Sequence, residues 1–318
     1  MEIIMTKKAT VGNLMLLVAA IIWGSAFVAQ ESGAQYVGAF TFNGLRFLIG
    51  GAVLIPAIRI NNFKSKKTGT FAPMTKADWK VLLFGGISCG IALALASYFQ
   101  QWGLESTSAG KAGFITALYI MFVPIIGLFF KRKTPLAFWG CIGVAIVGFY
   151  FLCIHGDLSL DTGDALVLVS SILFSIHIIL IDKFSQTCDG IKLSCVQFLT
   201  VGVICTILMF VFEQPSWENI SKAALSIAYT GIFSCGIAFT LQVLGQKRTH
   251  PAIATLIMSL ESVFSLITGM IFNFSANVPT IREAIGSALI FAAVIAAQML
   301  PQASEKKTDN KETHYETR

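Results

Sequence analysis

An all-α integral membrane fold, ten transmembrane helices arranged as two inverted five-helix repeats, follows from three observations. Hydrophobic residues make up 55% of the 318 positions and charged ones 13%, against roughly 45–50% and about 25% in soluble proteins. Ten apolar stretches have about the 20-residue length that spans a bilayer core. The two halves of the chain match each other at nearly constant offsets. A soluble globule could not cover its surface with so few charges, and a disordered chain needs less hydrophobicity and more net charge.

The stretches run over 13–30, 40–58, 80–100, 112–130, 136–154, 164–181, 193–212, 223–244, 252–272 and 284–301. The first follows Lys7 and Lys8 and lacks a small-residue cleavage site, so it reads as a retained signal anchor. The separators carry turn residues or charge, as in Lys131-Arg132-Lys133-Thr134-Pro135, His155-Gly156-Asp157 and Glu213-Gln214-Pro215. Most are short, which makes neighbouring helices antiparallel. Residues 302–318 form a polar tail of mixed charge, expected to lack fixed structure.

The net charge of +6 is spread between apolar runs rather than along a face with interleaved aromatics, so no nucleic-acid partner is expected. Nineteen of the 23 basic residues fall in connections of one parity, together with the N-terminus and the tail; Lys111, Lys222 and Arg282 fall in the others, and Arg46 lies within a span. Basic residues are retained in the cytoplasm, which puts both termini there. Trp79, Trp102, Trp139 and Trp217 sit at or just beyond proposed helix ends, where the indole ring prefers to lie; Trp23 does not. The seven cysteines show no CxxC pairing and read as reduced thiols.

The halves align as follows. Gly12 matches Gly163, and Arg46-Phe47-Leu48 matches Gln197-Phe198-Leu199, at a shift of 151; Trp23 likewise matches Phe174. Ser88-Cys89-Gly90-Ile91-Ala92 recurs as Ser234-Cys235-Gly236-Ile237-Ala238. Leu118 with Gly127 matches Leu260 with Gly269, which pairs Tyr119 with Glu261 at a shift of 142, and Gly143 with Ala145 matches Gly286 with Ala288. Five helices per half is an odd number, so the second half enters the membrane upside down. Repeats of that kind can exchange conformations and open a midplane site to either side in turn.

The chain resembles the ten-helix permeases of the drug/metabolite transporter superfamily, EamA type. The resemblance rests on Trp23-Gly24-Ser25-Ala26-Phe27, Leu45-Arg46-Phe47, Thr107-Ser108-Ala109-Gly110-Lys111-Ala112, Phe114-Ile115-Thr116, Pro124 and Leu260-Glu261-Ser262-Val263-Phe264 in that order along the spans. It implies an EamA-like repeat at 13–154, another at 164–301 and a cytoplasmic tail at 302–318. It also implies a multi-pass protein of the cell membrane whose activity is export of amino acids or related compounds. The family pattern often has Pro where Ser262 stands, so the usual cause of a kink in the ninth helix is missing here.

Ionisable side chains inside spans are costly and so are functional candidates by default. Glu261 reads as a proton-coupling carboxylate, as a counter-charge to a cationic group of the substrate, or as a structural carboxylate bonded to Ser259 or Ser262. Arg46 either snorkels to the interface or anchors a carboxylate; its mate Gln197 is polar, so this face looks at protein or water. With Tyr119 these residues define the substrate site, to which Trp23 adds a stacking face, Ser25 a hydroxyl and Asn43 an amide one turn before Arg46. Gln100, Gln101 and Gln242 read as interfacial, and His177 as a polar contact near the cytoplasmic end.

Gly86-Ile87-Ser88-Cys89-Gly90 fits the GxSxG nucleophile elbow, but that chemistry needs a strand-to-helix turn and this string is helical; it also fits GxxxG, a close-packing face. No HExxH, Walker or dinucleotide signature occurs, so neither enzyme activity nor a cofactor is expected. The reading is a secondary active transporter of a small polar metabolite working by alternating access, as monomer or homodimer. The alternative is an uncoupled facilitative channel or a lipid-handling membrane protein.

Overall fold

A computed structural model describes residues 7–69, 72–129, 136–155, 159–249, 254, 257–272 and 280–299; the polar tail and the basic connection at 131–133 lie outside them. The helices are α1 (Lys7–Ala34), α2 (Ala39–Lys67), α3 (Lys76–Gly103), α4 (Ala109–Thr116), α5 (Tyr119–Phe129), α6 (Leu136–Cys153), α7 (Thr162–Ser185), α8 (Gly190–Phe212), α9 (Trp217–Tyr229), a π-helical stretch (Thr230–Phe239), α10 (Thr240–Gln246), α11 (Glu261–Phe272) and α12 (Ile281–Met299). Between α6 and α7 a two-residue antiparallel bridge pairs β1 (Ile154–His155) with β2 (Ser159–Leu160). Seven helical runs among the described residues are long and apolar enough to cross a bilayer. Shorter apolar runs, Trp139–Gly148, Ile257–Phe272 and Ala284–Ala293, fall where the fifth, ninth and tenth spans are expected. The protein is an all-helical integral membrane protein.

The sequence explains where several helices begin. A capping box opens α3: Asp78 N donates to Thr75 Oγ1 (3.2 Å) while Thr75 N donates to the Asp78 carboxylate (2.8 Å). Asp189 caps α8 by accepting from Ile191 N and Lys192 N, both at 3.0 Å. The N-terminus of α2 has no cap of its own. Glu213, at the far end of α8, accepts from Phe40 N and Thr41 N (2.8 Å each) and from Thr41 Oγ1 (2.6 Å), and so ties two helix ends together where the helix dipole favours an anion. Trp79, Trp102, Trp139 and Trp217 are exposed, whereas Trp23 is buried.

Glycines let the helices approach closely, and their contacts recur with the partners exchanged between the two halves. A Cβ placed on Gly51 would come within 2.9 Å of Leu199, and one on Gly202 within 2.6 Å of Leu48; Leu48 and Leu199 are 151 apart, as are Gly51 and Gly202. Gly103 meets Val167 and the Gly163 carbonyl, while Gly245 meets Leu16 and the Gly12 carbonyl. Gly90 sits on Thr200 and the Gln197 carbonyl, while Gly231 sits on Ile49 and the Arg46 carbonyl. That last pair corrects the alignment of the Ser-Cys-Gly-Ile-Ala strings. By contact Gly90 corresponds to Gly231, at a shift of 141, rather than to Gly236. Gly103 and Gly245 are 142 apart, so the second half holds one more residue between these points, where the π-helical stretch lies and where an i→i+5 turn takes up an extra residue. Gly86 and Gly90, one turn apart, press on Val196 and Thr200 of α8, the packing role of a GxxxG face.

Two helices expected to be continuous are broken, at positions 142 apart. Ala117 and Leu118 form a turn between α4 and α5, and Leu260 forms one between the helical residues 257–259 and α11. At both points the chain tightens to an i→i−3 bond, Leu118 N to Ile115 O (3.2 Å) and Leu260 N to Ile257 O (3.3 Å). The Thr116 carbonyl at the first break is taken up by α7, where Ser171 Oγ donates to it (2.9 Å), and Ser175 Oγ, which donates to Ser171 O (2.8 Å), also reaches Tyr119 O (3.4 Å). At the second, Ser262 Oγ donates to Ser259 O (2.8 Å). The ninth span therefore breaks without a proline, and Glu261 is the first residue of α11 instead of lying in mid-helix.

Candidate functional site

A cavity opens between the two breaks. Tyr119 and Glu261, each the first residue after its break, line it together with Trp23, Arg46, Gln100, Gln242 and the aromatic walls Phe27, Phe174 and Phe239. Gln30, Thr116, Ile178, Ser234 and Met258 complete the lining. Five pairs in this set stand at the offsets of the repeat: Trp23 with Phe174, Phe27 with Ile178, Gln100 with Gln242, Thr116 with Met258, and Tyr119 with Glu261. Both halves of the chain thus contribute corresponding positions to one site.

Arg46 does not reach for the interface. It is 2% exposed, and its guanidinium is held by two neutral amides: Nε donates to Asn43 Oδ1 (2.9 Å) and Nη1 to Gln30 Oε1 (2.6 Å). Its Cζ lies 5.4 and 5.0 Å from the ring centres of Phe42 and Phe47. Asn43 is itself fixed by donating to Ser97 O (3.0 Å), and Gln101 donates to Gln30 O (2.9 Å). Among the described residues no carboxylate pairs with Arg46, and it lines the cavity with the guanidinium N–H groups that the two amides do not take. A planar fork of this kind suits a carboxylate.

Glu261 is 4% exposed and its carboxyl group faces the Tyr119 hydroxyl; Trp23 Nε1 has no hydrogen-bond partner. The Ser262 hydroxyl, one of the expected structural partners of Glu261, goes to a backbone carbonyl. Buried polar atoms short of partners are costly, and a polar ligand in the cavity would satisfy them. Trp23 packs edge-on against Phe239, with ring centres 4.9 Å apart.

Three of the residues expected in the site do not line the cavity. Ser25 Oγ contacts Tyr229 Oη (2.5 Å) and donates to Ile22 O (2.9 Å), because its side chain leaves α1 on the face toward α9. Asn43 stands behind Arg46 as its support. Gln197 faces His177 instead, Oε1 to Nε2 at 3.0 Å, with both residues fully buried. Conversely, Gln100, Gln101 and Gln242 are buried, not interfacial. Gln30 and Phe239 carry no motif, and helical spacing alone gives no signal for them.

The sequence profile of the EamA-like transporter family matches the chain twice, over residues 10–154 and 161–298. The chain belongs to the EamA-like transporter family. That family lies within the drug/metabolite transporter superfamily, and the protein is a membrane transporter. A relative in Archaeoglobus fulgidus described as an uncharacterized transporter is 29% identical over 293 residues, covering 92% of this chain and 87% of its own length. The uncharacterized transporter YetK of Bacillus subtilis is 23% identical, over 83% of this chain and 80% of its own. One solved structure superposes with a TM-score of 0.65 at 20% identity, over 91% of this chain and 97% of that one, a likeness of fold.

Proposed function

We propose that this EamA-like protein is a secondary active transporter that carries a small zwitterionic metabolite, an amino acid or a related compound, by alternating access. The observation that carries the reading is a cavity lined by corresponding residues of both halves, with a guanidinium that has no acidic partner among the described residues and a carboxyl group that faces the Tyr119 hydroxyl. Arg46 takes the carboxylate of the cargo, and Glu261 with Tyr119 takes its amino group or a coupling proton. Trp23, Phe174 and Phe239 enclose the carbon skeleton, and Asn43 holds Arg46 in place. Ser25 and Gln197 belong to the surrounding scaffold in this state.

The two halves, 13–154 and 164–301, are read as five-helix repeats of opposite orientation. The exchanged glycine contacts and the breaks at mated positions support this. So do the lengths of α6 and α12, 18 and 19 residues, which at 1.5 Å per residue reach about the 30 Å of a bilayer core. The charge asymmetry supports cytoplasmic termini and a place in the cell membrane, with the chain acting as monomer or homodimer.

The test is counterflow in reconstituted vesicles with a panel of radiolabelled amino acids. The wild-type protein exchanges internal unlabelled for external labelled compound and responds to a proton gradient, while Glu261→Gln keeps exchange and loses the gradient response. Flux without countertransport would identify an uncoupled channel and defeat the proposal.

A further inference from the structure

Four cavity residues have no mate in the cavity: Gln30, Arg46, Ser234 and Phe239. The mate of Arg46 is Gln197, and it belongs to a separate buried cluster with His177. Gln197 Nε2 and His177 Nδ1 have no hydrogen-bond partner, and nor does Ser194 Oγ at the position that corresponds to Asn43; all three residues are fully buried. Phe239, a residue of the cavity wall, packs against His177. Its ring lies 6.1 Å from that of His177 and almost equally far from Phe47 (6.0 Å) and Phe198 (6.1 Å), two residues that are themselves mates. Phe239 therefore stands on the line about which the halves correspond, with the Arg46 cluster on one side and the Gln197 cluster on the other. The position that corresponds to Phe239 in the first half is Ser97, too small to form such a wall.

Phe239 is also the last residue of the π-helical stretch. That stretch holds the one residue by which the second half exceeds the first, and an i→i+5 turn can revert to i→i+4 by passing the extra residue along the helix. Such a shift would rotate Phe239 about the helix axis with little movement of the helix ends.

Building on the proposed exchange between repeats, we propose that Phe239 is a moving partition and that Gln197 with His177 is the counterpart of the Arg46 subsite, lining the cavity only in the opposite-facing state. The anionic end of the cargo meets a guanidinium in one state and neutral amide and imidazole N–H groups in the other. The charged grip is withdrawn as the carrier turns over, and the carboxylate is released on the side where Gln197 is open.

The experiment uses single-cysteine variants in a background whose native cysteines are replaced by alanine, labelled in right-side-out and in inverted vesicles with a membrane-impermeant methanethiosulfonate carrying a trimethylammonium group. Arg46→Cys and Gln197→Cys react from opposite faces, while Trp23→Cys and Phe174→Cys, at mated positions of the shared wall, react from both. Adding Phe239→Ala to Gln197→Cys raises the labelling rate from the Arg46 face by at least about tenfold, the size of a modest population shift. If Gln197→Cys is inert from both faces, or reacts from the same face as Arg46→Cys, the proposal is overturned while two-sided labelling at 23 and 174 leaves the transporter reading standing. If labelling at 23 and 174 is one-sided, alternating access fails and the proposal fails with it. An unchanged rate in the Phe239→Ala double variant overturns the role given to that ring.

Discussion

Two ends of the helix bundle are built from the same parts and closed by different chemistry. Where α3 runs toward α7, Thr107 Oγ1 donates to Asp164 Oδ1 (2.7 Å), and Gly163 lies beneath the threonine. Where α10 meets α1, Thr249 Oγ1 donates to Asn13 Oδ1 (3.0 Å), and Gly12 lies beneath that threonine. Thr107 and Thr249 are 142 apart, and Asn13 and Asp164 are 151 apart, so the joints correspond residue by residue. Only the first is charged. Asp164 is fully buried and its Oδ2 lies 2.7 Å from Lys111 Nζ. The scaffold thus fixes where a joint forms, and one side-chain difference, carboxylate or amide, sets how firmly it holds. Under the proposed alternating access, unequal joints would bias which end stays shut.

The largest way to break this comparison is to strip the ion pair. Lys111→Ala leaves a buried carboxylate uncompensated, a loss of about 3–5 kcal/mol, whereas Thr249→Val at the corresponding joint removes its neutral hydrogen bond to Asn13, worth about 1 kcal/mol. Thermal unfolding of the purified protein in detergent ranks the two, and equal losses would show that the joints do not differ in strength. A smaller contrast lies in the glycines. A Cβ on Gly163 would stand 2.7 Å from the Gly103 carbonyl, but one on Gly12 would stand 3.2 Å from the Gly245 carbonyl. Gly163→Ala has to displace backbone at about 1–3 kcal/mol, while Gly12→Ala mainly turns the Thr249 hydroxyl aside and costs less. The same melting assay reads both.

These joints also show how far the sequence could be read. The spans, the interfacial tryptophans and the pairing of Asn43 with Arg46 follow from composition and helical spacing, because each depends on one helix and its lipid surroundings. The threonine joints depend on two helices meeting, and residue offsets alone predict only that they would be alike. The breaks at Ala117–Leu118 and Leu260 carry no glycine or proline at the turn itself, so the usual signals are silent; the hydroxyls of Ser171 and Ser262 that satisfy freed carbonyls come into range only after folding. String identity misled where five residues repeat at Ser88 and Ser234, since contact with α8 and α2 selects Gly90 and Gly231 instead. Gln100 and Gln242, read as interfacial from their place near span ends, are drawn into the cavity because α3 and α10 extend past the expected boundaries.

The smallest expected effect tests the charge around the joints rather than the joints themselves. Glu105, in the connection after α3, corresponds at a shift of 142 to Lys247, so one end of the bundle carries an acid where the other carries a base. Burial first, and then the nearby Glu213, hold the Glu105 carboxyl above its ordinary value. The folded protein therefore keeps this proton to higher pH than the unfolded chain does. Its contribution is favourable at low pH and is lost as pH rises from the usual carboxylate value through the raised one. Glu105→Gln has no charge to bury, so it melts slightly higher than wild type at about pH 7 and no differently near about pH 4, below the window. If Glu105→Gln were neutral at both pH values, the Glu213 clamp on α2 would be carrying its charge without cost to its neighbour, and the acidic end would be no more strained than the basic one.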